Sequence, residues 1–292
     1  MPAQKLATPA TTPGKAPPPG GRKLVTKPKL QLTLPTAVSV PRKLLTDYTW
    51  LIYGERKIGK TTLLAQFLRN FFLMGEPGGR GLSILQAEVT TWEMLLGYIK
   101  LLEENPDYCN MVTLDTGDAH YLNALGHIIT SLGLQDIRDK AWGGGWVALR
   151  EDFRKAHERI YALGLGFAVT AHSEVKTIKP KFGPEYDKLV VQMSGQAFKY
   201  YAGIVDNICY YHYRDDGKRY LQIRGDETVE AGTRCEGRFL YKGTNEPIIH
   251  IPMGNSPQQS YRNLELAFNN ELPKEVQQAK AAPAAAKLAR KA

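Results

Sequence analysis

The run Gly54-Glu-Arg-Lys-Ile-Gly59-Lys60-Thr61 constrains the fold more than any other feature of this 292-residue chain, because it fits the pattern GxxxxGK[ST]. That pattern works only where a buried strand delivers the backbone to a glycine loop and a helix carries it away. Both flanks read that way. Asp47 to Tyr53 (DYTWLIY) is a short apolar run, and Thr61 to Met74 (TTLLAQFLRNFFLM) is expected to continue as one apolar helix, ended by Gly75 and the turn-rich EPGGRG. In such a loop, Gly54, Glu55, Arg56, Lys57, Ile58, Gly59, Lys60, Thr61 and Thr62 wrap a phosphate chain and turn backbone N–H groups toward its oxygens. Lys60 bridges the terminal phosphates and the Thr61 hydroxyl ligates Mg²⁺. The implied ligand is a nucleoside triphosphate, ATP, together with Mg²⁺.

The rest of residues 44–270 alternates strand-like and helix-like stretches, the signature of an α/β domain with a mainly parallel sheet flanked by helices. Strands are expected at Leu82–Ala87 (LSILQA), Met111–Leu114 and Gly166–Ala171 (GFAVTA). Helices are expected over Thr91–Glu104, Ala119–Ser131 and Trp146–Leu163, the last capped by Gly164. Ser173–Met193 reads as a long polar loop. Ile204–Tyr213, the turn DDGK and Arg219–Ile223 read as a C-terminal β-hairpin.

The formal charge of +9 points toward a polyanionic partner, but it is unevenly placed. Residues 1–43 hold eight bases, no acid, no aromatic residue and nine of the eighteen prolines, so they are expected to be a disordered basic arm. Residues 271–292, rich in Ala, Lys and Pro, are expected to be a second one. The two arms hold 13 of the 38 bases and 2 of the 29 acids, which leaves 25 bases against 27 acids between them. The body is therefore near neutral at −2, and the arms carry +11. Cys109, Cys209 and Cys235 are odd in number and far apart, which supports neither a disulfide framework nor a zinc site. No apolar run is long enough for a membrane span and the first twenty residues lack an apolar core, so a soluble cytoplasmic protein is expected.

Three strand ends supply further chemistry. Asp115, closing MVTLD, is placed to hold Mg²⁺ through water, with capping of the following helix as its alternative. Glu88, closing SILQAE, is the candidate for orienting or deprotonating an attacking water, with capping of the following helix as its alternative. His172, closing FAVTAH, can touch the γ-phosphate, or can be an ordinary histidine at a strand end.

In order, WLIYGERKIGKTTL, SILQAE, MVTLDT, FAVTAHSE and a hairpin followed by GTR resemble the RecA-like AAA-type nucleotide-binding proteins of bacteriophages, a group that includes single-strand annealing proteins. The resemblance runs from Tyr48 to about Gly237. It implies a RecA-like P-loop NTPase core in which Lys60, Glu88 and His172 are catalytic and Asp115 is the metal acid. It also implies that Arg234 is an arginine finger inserted into a neighbouring subunit's site, so that a homo-oligomer completes the ATPase. Arg56 and Lys57 depart from the Pro and Gly common in this loop, and Glu88 lacks the acid often found before it. Such proteins hold single-stranded DNA on two loops. The equivalents here are Trp142-Gly-Gly-Gly-Trp146, with two faces for base stacking, and the loop carrying Lys176, Lys179, Lys181 and Lys188. The plainer readings are core tryptophans and solvated lysines. The function expected is a DNA-dependent ATPase of phage recombination, annealing or replication in the host cytoplasm. The competitors are a P-loop small-molecule kinase and a non-hydrolysing, ATP-switched DNA-binding or scaffolding subunit.

Overall fold

The computed structural model describes residues 34–274, so most of both expected arms lies outside the described residues. Met1–Pro41 is a unit apart from Arg42–Ala292. Of it, residues 34–41 carry no regular secondary structure and are exposed.

The second unit runs β1 (Thr49–Gly54), α1 (Lys60–Leu64), β2 (Asn70–Met74), β3 (Leu85–Glu88), α2 (Trp92–Glu104), β4 (Met111–Asp115) and α3 (Gly117–Ser131). It continues with α4 (Gly144–Ala162), β5 (Gly166–Ile178), β6 (Tyr186–Gln192), α5 (Gly195–Ile204), β7 (Asn207–Tyr213), β8 (Arg219–Gln222), β9 (Gly232–Thr233), β10 (His250–Pro252) and α6 (Pro257–Phe268). The strand order is β10-β8-β7-β1-β5-β4-β2-β3, parallel from β7 through β3 and antiparallel at β8 and β10. The expected α/β class with a mainly parallel sheet is what is found. Among the described residues no helix is long and apolar enough to cross a membrane.

Successive strand residues point to opposite faces, so a strand covered on both sides needs apolar residues at every position. WLIY does this. Leu51 and Tyr53 enter a core with Trp92, Leu95 and Ile99 of α2, Tyr121 and Ala124 of α3, Leu149 and Phe153 of α4, and Tyr201 of α5. Trp50 and Ile52 enter the opposite core with Leu63 and Leu64 of α1 and Leu264 and Phe268 of α6. That packing reaches Leu272, 1% exposed, just past the expected domain limit at residue 270.

Two expectations are corrected by the structure. Thr61–Met74 is not one helix: α1 stops at Leu64 and Asn70–Met74 is strand β2, inserted between β4 and β3. The stop has a local cause. Gln66 and Phe67 N–H groups donate to Leu63 and Leu64 at i−3, Arg69 takes φ 51°, and the Asn70 side chain donates to the Leu64 carbonyl at 2.9 Å. The Asn70 amide oxygen in turn accepts from Thr113 of β4 at 2.9 Å, so one side chain ends the helix and registers the strand. Ser173–Met193 is likewise not a loop. β5 continues to Ile178 and pairs antiparallel with β6, from His172 opposite Gln192 to Ile178 opposite Tyr186. The β7–β8 hairpin is present as expected, with its first strand starting at Asn207 because Gly195–Ile204 forms α5.

Candidate nucleotide site

β1, β2, β4 and β5 are parallel, so their C-terminal ends open at one edge of the sheet, where ligands of such sheets bind. A cavity of about 500 Å³ lies there, lined by Arg56, Lys57, Gly59, Lys60, Thr61, Thr62, Met74, Glu76, Pro77, Gly78, Asp115, Thr116 and His172. Gly54 is required by close approach: a Cβ there would stand 2.1 Å from the Tyr211 carbonyl oxygen of β7. Ile58 does not face the cavity but packs in the core beside α1, which anchors the loop.

Lys60 is 6% exposed and donates to the carbonyls of Gly54 at 2.9 Å and Glu55 at 2.8 Å. Burial pushes its pKa down to about 8, against the opposing pull of Asp115 and Glu76. The ammonium is thus held against its own loop with few partners, as a phosphate-binding cation must be. Asp115 is tied at both oxygens: it accepts from Thr61 at 2.6 Å and from Thr170 of β5. A hydroxyl and a carboxylate already in contact, beside a buried lysine, fit the donor set for a magnesium nucleotide. Thr61 and Asp115 would hold the ion, which when bound neutralises charge on the phosphate oxygens.

Glu76 does not stand out in the sequence, because NFFLM before it fits an apolar helix tail as well as a strand. It follows β2, faces the cavity, and accepts from the Thr116 hydroxyl at 2.7 Å. Its other oxygen lies 3.7 Å from His172 Nε2. His172 stands within β5 rather than at the start of a loop, and burial, then the Lys60 charge, lowers its pKa. It is therefore neutral near pH 7. A carboxylate in this place can orient or deprotonate a water aimed at a terminal phosphate, and His172 can respond to that phosphate. Glu88 instead is exposed at the end of the edge strand β3, in register with Met74, and is not among the residues lining the cavity. It does not cap α2 either, since Thr91 accepts the Met94 N–H there.

With this geometry in view, residues 46–235 match the model of a family described as AAA domain. The chain belongs to this family of P-loop ATPases. The AAA domain covers the phosphate loop, Glu76, Asp115, His172 and, at its end, Arg234. Among solved structures the fold is similar to a KaiC-like protein from the hyperthermophilic archaeon Pyrococcus horikoshii OT3, at 15% identity and a TM-score of 0.41, over 73% of this chain and 87% of that one. No curated protein matches the chain.

The remaining expected residues lie away from the AAA domain's cavity. Arg234 follows β9, whose Thr233 pairs with Asn207, itself beside Trp50 at the start of β1. This is the opposite end of the sheet, about 16 Å from the loop end of β1 at strand rise. Its guanidinium donates to the Ala202 and Gly203 carbonyls at 3.2 and 3.1 Å, closing the C-terminus of α5. Arg234 cannot reach its own site from there. Trp142 is fully exposed, with φ 59°, whereas Trp146 is partly buried against the core, so the two rings do not share one environment. Lys176, Lys179 and Lys188 are paired with Glu174, Glu185 and Glu230 at 2.7, 2.9 and 2.6 Å, and Lys181 lies over the Phe182 ring.

Proposed function

We propose that this ATPase acts on single-stranded DNA, in phage recombination, annealing or replication, with Glu76 orienting the attacking water. The observation that carries the DNA assignment is the β5–β6 hairpin. It grows out of the cavity at His172, and residues two apart along a strand share a face, so His172, Glu174 and Lys176 lie in one line with Lys188 directly opposite Lys176. A charge change felt at His172 has a short, rigid path to two lysines set side by side. Opposed like charges are unfavourable by themselves and are offset here by Glu174 and Glu230. A phosphate backbone could take over that compensation. The basic arms would add a salt-sensitive, sequence-independent attraction. ATP and Mg²⁺ are the proposed ligands, and Arg234 is proposed to serve a neighbouring subunit in a homo-oligomer, after leaving the carbonyls of α5.

The test is phosphate release from ATP by the purified chain, with and without single-stranded oligonucleotide. Strong stimulation is the expected result. Equal rates, with no binding of the oligonucleotide at low salt, would remove the DNA assignment while leaving the ATPase.

A further inference from the structure

The position of Glu76 is not explained by its own secondary structure. It lies one residue beyond Gly75, where β2 has ended, in a glycine-rich turn, and such segments are free to wander unless something else holds them. Part of the hold comes from the end of β4: the Gly75 and Glu76 N–H groups donate to the Asp115 carbonyl at 2.7 and 3.4 Å, and the Thr116 hydroxyl donates to the Glu76 carboxylate. The other part comes from beneath, from the first turn of α3.

His120 in that turn is fully buried, and its Nε2 lies 2.9 Å from the Leu73 carbonyl oxygen of β2. A carbonyl only accepts, so Nε2 carries the proton and Nδ1 is bare. Nδ1 is buried and has no hydrogen-bond partner, a cost that an apolar residue of similar size would not incur on this apolar helix face. Packing alone therefore does not account for a histidine here; the bond to Leu73 does. The neighbouring backbone is pressed onto the same turn. A Cβ at Gly75 would stand 2.9 Å from Ala119 Cβ and 3.3 Å from His120 Nε2. His120 is not among the residues lining the cavity, so it touches neither nucleotide nor water directly.

We infer that His120 is a positioning residue: by donating to Leu73 and packing under Gly75, it fixes the exit of β2 and so aims the Glu76 carboxylate into the cavity. This rests on the reading of Glu76 as the water-orienting group. Burial lowers the His120 pKa, so the ring stays in the single-donor form and the hold does not vary near neutral pH.

The test is ATP turnover by the full chain carrying H120L, which removes the donor, and H120Q, whose amide N–H extends about as far as Nε2. Misplacing a reacting group by about 1 Å costs on the order of 10²-fold in rate. The expected result is a loss of that order in kcat for H120L, an unchanged KM for ATP, and recovery of most of the rate in H120Q. Gly75→Ala approaches the same contact from the other side and is expected to lower kcat alone, with partial recovery when Ala119→Gly removes the closest collision. It decides the matter if H120L does not fold. E76Q separates the two levels. Normal turnover in E76Q would overturn the reading of Glu76 and this inference with it. Lost turnover in E76Q with normal kcat in H120L and Gly75→Ala would overturn the positioning role alone. So would loss of kcat and ATP affinity together, with no recovery in H120Q or in the Gly75 pair.

Discussion

The cavity at the C-terminal ends of β1, β2, β4 and β5 and the hairpin that β5 extends beyond it are built on different terms. In the cavity, Lys60, Thr61, Asp115, Thr116 and Glu76 are held by short bonds to one another or to the Gly54 and Glu55 carbonyls of the phosphate loop. On the hairpin, Lys176, Lys179 and Lys188 are held only by nearby acids, in pairs at or near the surface. Exposed ion pairs are worth about 0 to 1 kcal/mol each, so the exposed Lys179–Glu185 pair adds little to stability, while Lys188–Glu230 is half-buried. If the hairpin holds DNA as proposed, the contrast separates a binding site organised before its ligand arrives from one that a ligand must organise.

The largest effect that would break this contrast lies in the cavity. Lys60→Ala should lower ATP turnover by on the order of 10²- to 10³-fold, as expected for loss of a fixed charge at developing negative charge, and should weaken binding in a fluorescent-nucleotide titration. Replacing all four hairpin lysines, Lys176, Lys179, Lys181 and Lys188, by alanine should leave that titration unchanged. If it did not, the two regions would not be separable. For single-stranded DNA the same quadruple variant should reduce the slope of log affinity against log salt by about 3, since each phosphate contact contributes roughly 0.7.

The Lys60 environment sharpens the comparison through pH. Its pKa, lowered to about 8 by burial, means that the free site holds an ammonium below that pH and an amine above it. A triphosphate requires the ammonium, so binding above pH 8 must draw a proton from solution. Affinity should be flat just below pH 8 and fall by up to tenfold per unit above it. Calorimetry in buffers of different ionisation enthalpy should register the proton uptake, and Lys60→Ala should lack it. The smallest effect concerns Lys57, which adopts φ 63° in the phosphate loop, a conformation that favours glycine. Lys57→Gly relieves a strain of about 1 kcal/mol and loses part of it to unfolded-chain entropy, so thermal unfolding should move up by no more than about 3 °C.

Much of this was legible in residues 54–61, because a phosphate loop specifies its own flanking strand and helix, and in MVTLD and FAVTAH, because buried parallel strands are continuous apolar runs. The same property makes LLAQFLRNFFLM ambiguous. A fully buried strand and an apolar helix tail look alike when no glycine or proline divides them. The divider is a tertiary contact, the Asn70 side chain on the Leu64 carbonyl, which no local pattern announces. The aromatic run NFFLM followed at once by GEPGG is the available signal for a strand ending at Met74, with Glu76 just beyond it. Thr170 and His120 were not legible at all: one sits inside a strand and one on a helix face, and only the fold brings them to Asp115 and Leu73. The Ser173–Met193 hairpin is illegible for the opposite reason, since its polar composition resembles a loop while β5 pairs with β6 along it.

On the function proposed above, the water-orienting carboxylate belongs to Glu76, just beyond β2, and not to Glu88, at the end of the edge strand. Steady-state phosphate release from ATP by Glu76→Gln and Glu88→Gln, measured side by side with and without single-stranded DNA, tests it directly. A general base contributes on the order of 10²- to 10⁴-fold, and Glu76→Gln should lose a factor in that range while still binding ATP, with Glu88→Gln within about twofold of the unaltered protein. Turnover preserved in Glu76→Gln and lost in Glu88→Gln would contradict the account.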